Sequence, residues 1–61
     1  MEEHYRGYYI AIEYRGLNWR VNVSPAYPWF PILHCNHFDS KGSMEEAVAE
    51  ARRKIDRVLG Y

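Results

Sequence analysis

The stretch that most constrains this chain is Gly42-Ser43-Met44-Glu45-Glu46-Ala47 running to Leu59-Gly60. It carries a helix start, a helix stop and a single apolar stripe. Ser43 stands where an N-cap belongs, and Glu46 three residues later completes a capping box worth on the order of 1 kcal/mol. Met44, Ala47, Val48, Ala51, Ile55, Val58 and Leu59 recur at spacings of three and four, which collects them on one side of a helix. Glu45 and Glu46 open the segment, bases crowd its end, and Gly60 follows as a stop, in the order that the helix dipole and the C-cap favour. On the outer face, Glu50 is in reach of Lys54 and Arg52 of Asp56 at i,i+4. The spacing predicts one helix over 44–59, about 24 Å long.

A one-sided helix needs an apolar surface to cover, and the preceding residues supply it with period two. Residues 1–4 read as a polar lead-in. Tyr8, Ile10, Ile12 and Tyr14 alternate with Tyr9, Ala11 and Glu13, as in a strand with one buried face, over roughly 5–14. Arg15-Gly16-Leu17-Asn18 is a turn, because Gly and Asn tolerate positive φ. A second strand follows, with Trp19, Val21 and Val23 opposite Arg20 and Asn22, and ends at Ser24-Pro25. Residues 32–38 read as a third strand at an edge, and Asp39-Ser40-Lys41-Gly42 as a turn. The expected fold is α+β: a three-stranded antiparallel sheet (β-β-β-α) with the C-terminal amphipathic helix on one face, forming a single domain over 1–61.

Composition narrows the class. A domain of 61 residues buries only about 60% of its unfolded surface, and its core supplies roughly 3–5 kcal/mol. Cys35 is the sole cysteine, so no disulfide can form within the chain, and a lone thiol fits a reducing cytosol. Density must come from the aromatics, nine of which lie between Tyr5 and Phe38, or from self-association, so a homodimer is expected. Eight basic and eight acidic residues balance to zero, against the basic surplus usual for nucleic-acid binding. No apolar run approaches the ~20 residues of a membrane span, and the acidic start lacks the pattern of a signal peptide. The chain reads as cytoplasmic.

With that layout in place, the chain resembles the N-terminal domain of HicB-type antitoxins, a partial RNase H-like fold. The residues that carry the resemblance are the hairpin Tyr9-Ile10-Ala11-Ile12-Glu13 and Trp19-Arg20-Val21-Asn22-Val23, then Pro25 and Pro28. To these are added Gly42-Ser43-Met44-Glu45-Glu46-Ala47 with Ala51 and Ile55. It extends over roughly residues 8–59. The family usually continues into a DNA-binding segment, whereas this sequence stops at Tyr61, and 27–32 is bulkier than the family's small, glycine-containing turn. The resemblance implies a fold and a tendency to bind protein, and transfers no active site.

The strongest candidate site is Tyr27-Pro28-Trp29-Phe30-Pro31. Prolines stiffen the loop and lower the entropy lost when its aromatics order on a partner, and Trp and Tyr are frequent interface anchors. The competing reading is that Trp29 and Phe30 fold back to cap the core. Tyr9 and Arg20, on the sheet face away from the helix, complete the expected partner-binding set. Arg52, Arg53, Lys54 and Arg57 form an alternative, a nucleic-acid contact, although Glu50 and Asp56 interrupt them. His34, Cys35 and His37 with His4 contain zinc-ligand types, yet on a strand His34 and His37 would point to opposite faces. No metal, cofactor or catalytic residue is expected. The chain is read as a non-catalytic module that masks a larger protein partner.

Overall fold

The computed structural model describes residues 1–33 and 36–60. Four strands run in chain order as an antiparallel meander: β1 (Glu2–Tyr5), β2 (Tyr8–Tyr14), β3 (Trp19–Pro25) and β4 (His37–Ser40). The helix α1 (Met44–Leu59) follows. The architecture is α+β with one C-terminal helix, and the sheet has four strands rather than the expected three.

The additional strand comes from the supposed lead-in. Arg6 and Gly7 both take positive φ, 51° and 87°, the signature of a two-residue type I′ hairpin turn. That turn splits the expected strand over 5–14 and folds residues 2–5 back on β2, with Tyr5 opposite Tyr8 and Glu2 opposite Ala11. The last strand is also displaced. Ile32 is exposed and Leu33 is buried in the core, so the chain is still crossing the end of the core where strand was expected. Pairing is then established from Asn36, whose carbonyl accepts from Val23 N–H at 2.7 Å. Asp39 and Ser40, turn formers by composition, lie in β4 instead. Asp39 has Arg20 as its cross-strand partner, and Ser40 is buried opposite Trp19. A side-chain partner across the ladder outweighs weak intrinsic preference here.

The register of β2 on β3 sets Ile10 opposite Val23 and Ile12 opposite Val21. These four and Tyr8 form the sheet's inner face and are buried with Leu33 against Ala47, Val48, Ala51 and Ile55 of α1. Ala47 and Ala51 have no accessible surface, and their small side chains let the helix sit close to the strands. Tyr14, expected on this face from the alternation, is 61% exposed. It stacks at a tilt on Trp19 and donates to the Gly16 carbonyl at 2.6 Å, closing the hairpin end beyond the helix's reach. Among the described residues no helix is long and apolar enough to cross a membrane.

The capping box forms as read. Ser43 Oγ accepts from Glu46 N–H at 3.2 Å, and Ser43 N–H donates to Glu46 Oε1 at 3.1 Å. Gly60 ends the helix at φ 90°. Replacing Ser43 with Ala should therefore cost about 1 kcal/mol, seen as a lower urea midpoint at constant slope. An unchanged midpoint would mean that packing alone holds the helix start.

Candidate protein-binding surface

The proline-rich loop after β3 is fastened to the body at two points and closed on itself by a third bond. Ala26 N–H donates to the Gly7 carbonyl at 2.8 Å, and Phe30 N–H closes a turn on the Tyr27 carbonyl at 3.1 Å. Tyr8, buried under the sheet's end, donates its hydroxyl to the Pro31 carbonyl at 2.7 Å. Burial pushes that hydroxyl's pKa up from its already high ordinary value.

Phe30 is half-buried and meets Tyr8 edge-on at 5.7 Å between ring centroids. Gly7 makes room for it, since a Cβ there would come within 2.3 Å of Phe30 Cε2. Tyr27 leans on Phe30 at 5.3 Å, and Trp29 stacks on Tyr27 at 5.1 Å with an interplanar angle of 19°. The four rings therefore form a series from core to solvent: Tyr8, Phe30, Tyr27, Trp29. Trp29 is 74% exposed and Tyr27 45%. Of the expected pair of core caps, Phe30 turns inward while Trp29 stays out. Ile32, expected in a strand, is also left exposed beside Pro31.

The other two residues assigned to partner binding lie elsewhere. Tyr9 is on the sheet's open face, edge-on to His4 at 4.2 Å, next to the row that leads into the loop. Arg20 is at the other end of β3, five residues from Pro25, a distance of roughly 17 Å along a strand. It is held by Asp39 at 2.7 Å. The structure brings Tyr27, Trp29 and Phe30 into one patch and leaves Arg20 out of it.

The basic end of the helix is partly engaged. Arg52 bonds to Glu3 of β1, and its guanidinium lies 5.3 Å from the Tyr5 ring centroid. Asp56 takes Arg6 at 2.7 Å and the Tyr5 hydroxyl at 2.9 Å. The i,i+4 partnership expected between Arg52 and Asp56 is thus replaced by contacts to β1, which runs along that flank of the helix. Lys54, which could have reached Glu50, lies over the Phe38 ring of β4 at 4.9 Å. Arg53 and Arg57 remain exposed on the side away from the sheet. The Tyr5–Arg6–Asp56 cluster was not foreseen; Arg6-Gly7, a glycine-containing dipeptide ahead of an alternating segment, was the available signal.

Of the zinc-ligand types, His34 and Cys35 lie outside the described residues. Among the described residues, no three His, Cys, Asp or Glu side chains group to hold a metal ion. The chain matches no protein-family model, no curated protein and no solved structure.

Charge at the β1–helix junction has a direction with pH. The hydrogen bond from Arg6 holds the Asp56 carboxyl below its usual value of 3.8, with help from the Tyr5 hydroxyl and against a smaller opposing effect of burial. A carboxyl lowered in the folded state adds stability above its unfolded pKa and loses it as pH falls through the folded value. Acidification from neutral to below that usual value should therefore loosen β1 from the helix. Asp56→Asn should flatten this acid limb in a plot of urea midpoint against pH. An acid limb equal to the native one would place the effect on other carboxylates.

Proposed function

We propose that this chain is a small non-catalytic protein-binding module, antitoxin-like or inhibitor-like, that masks a larger partner with its aromatic loop. The observation that carries this reading is the exposed Tyr27–Trp29 stack, braced by Pro28 and Pro31 and anchored through Phe30 to Tyr8. Large rings held out in water by a rigid support lose little conformational freedom on binding, and a tryptophan in such a position is a typical energetic centre of an interface. The resemblance to the HicB-type N-terminal domain supports the same kind of role, in the cytoplasm and without a cofactor. Self-association as a homodimer belongs to this reading, since a core of this size gains stability from a second copy.

The nucleic-acid alternative has less to draw on. Of Arg52, Arg53, Lys54 and Arg57, the first is tied to Glu3 and the third lies on Phe38. Binding through the remaining two would be weak, with a shallow salt dependence.

The test separates binding from folding. Trp29→Ala should abolish capture of the partner from lysate of the native cell, identified by mass spectrometry, while the thermal midpoint stays within a few degrees. Phe30→Ala, which uncovers one side of Tyr8, should instead cost about 1–3 kcal/mol. Undiminished capture by Trp29→Ala would remove the loop from the interface.

A further inference from the structure

We infer that the partner receives the Tyr27–Trp29 stack and Ile32 in an uncharged apolar cleft, one that offers a hydrogen-bond acceptor to the Trp29 indole. This rests on the protein-binding reading above and names the chemistry of the surface that is masked.

The charge pattern of the chain has a gap at this loop. None of the 18 residues from Val21 to Phe38 is Asp, Glu, Lys or Arg, although the chain carries eight acids and eight bases. Burial accounts for part of the gap, since Val21, Val23 and Leu33 belong to the core. It does not account for the loop, where Tyr27, Pro28, Trp29, Pro31 and Ile32 are all exposed and only Phe30 turns inward. A surface depleted of charge and rich in large rings has the composition of an interface centre rather than of its rim.

The backbone of this tip also has little left to satisfy. Pro28 and Pro31 have no N–H. Phe30 N–H donates to the Tyr27 carbonyl, and the Pro31 carbonyl accepts from the Tyr8 hydroxyl. Removing water from such a tip costs little. A charge set against it would lose its hydration and gain no counter-charge, so a charged partner surface is the wrong match. One polar group still needs an answer: the Trp29 indole N–H has no acceptor among the described residues. A buried tryptophan N–H ordinarily finds a partner, and a neutral oxygen in the cleft would supply it.

The shape is fixed and projects from the body. Trp29 stacks on Tyr27 at 5.1 Å, and Tyr27 leans on the half-buried Phe30, with Trp29 outermost. A knob of this kind is complementary to a concave site. A lipid bilayer is the poorer occupant. Lasting attachment to a membrane takes a second signal, commonly basic residues against anionic headgroups. The tip has no basic residue, and Arg6, beside the Gly7 that Phe30 covers, is bound to Asp56.

The experiment places a charge of either sign in the contact. The full chain is immobilised, and the protein that it retains from native-cell lysate and that Trp29→Ala does not retain is quantified. Ile32→Lys and Ile32→Glu should each weaken that retention by about tenfold or more. Both should keep the native thermal midpoint within a few degrees, because Ile32 is 71% exposed. Raising salt from about 0.1 M to about 1 M, which shortens the Debye length from about 10 Å to about 3 Å, should change retention of the native chain by less than about twofold. Retention that survives or improves with one sign of charge, or that collapses with salt, means a charged partner site. Either result overturns the inference and leaves the protein-binding reading standing. Absence of any Trp29-dependent capture overturns both. Phosphatidylcholine vesicles should leave the tryptophan emission of the chain unmoved. A blue shift that Trp29→Phe removes would put a bilayer in place of the cleft.

Discussion

Everything in this domain depends on the pairing of β2 with β3 and on the face that pairing turns toward the helix. Ile10 opposite Val23 and Ile12 opposite Val21 set the inner face on which α1 settles through Ala47, Ala51 and Ile55. A slip of one residue would carry the whole set to solvent and leave the helix nothing to cover. In a domain with a core worth only a few kcal/mol, no second cluster could compensate. The two ends of the molecule are arranged around this slab. The Tyr14–Trp19 contact closes one end, and Tyr8 with Phe30 closes the other.

The remaining elements are attached to the slab by different physics. The loop at 26–31 is joined by buried aromatic contact and by hydrogen bonds to the backbone, so its outermost ring is exposed on a stiff base. Such a base favours recognition, because the freedom a flexible tryptophan would lose on binding is already gone. β1 is joined by its ladder to β2, by the Tyr5 ring at the margin of the core and, to the helix, by charge. Asp56 takes two ligands from it and from its turn, and Arg52 takes a third. The same helix thus has an apolar side that is committed to the core and a polar flank whose hold on its neighbour varies with pH and ionic strength.

The helix was legible to the residue because its signals are local: a cap, a stripe and a glycine stop lie within one segment. The central hairpin was legible because alternation and a turn are also local. The strand at 2–5 was missed because Glu2, Glu3 and His4 have no apolar alternation. Their strand exists only because β2 offers an edge and the helix offers Arg52 and Asp56 from far along the chain. The strand at 37–40 was misplaced because Asp39 and Ser40 are turn formers in isolation, and their partners, Arg20 and Trp19, are not near in sequence. The aromatic loop was visible as a candidate from its prolines, but not which of its rings would be exposed. Phe30 went in because Gly7 leaves space for it.

By itself, then, the order of residues determined the α+β class, the capped helix, the inner face of the central hairpin and the stiffness of the loop, since each rests on periodicity or on backbone preference within a short window. Only the tertiary structure decided that Trp29 and Tyr27 stand outside while Phe30 stands inside. It alone decided that the charges of the helix answer β1 rather than one another, and that a strained Arg6–Gly7 turn separates β1 from β2. Those outcomes depend on which distant side chains arrive at the same place, and short-range pattern carries no record of that.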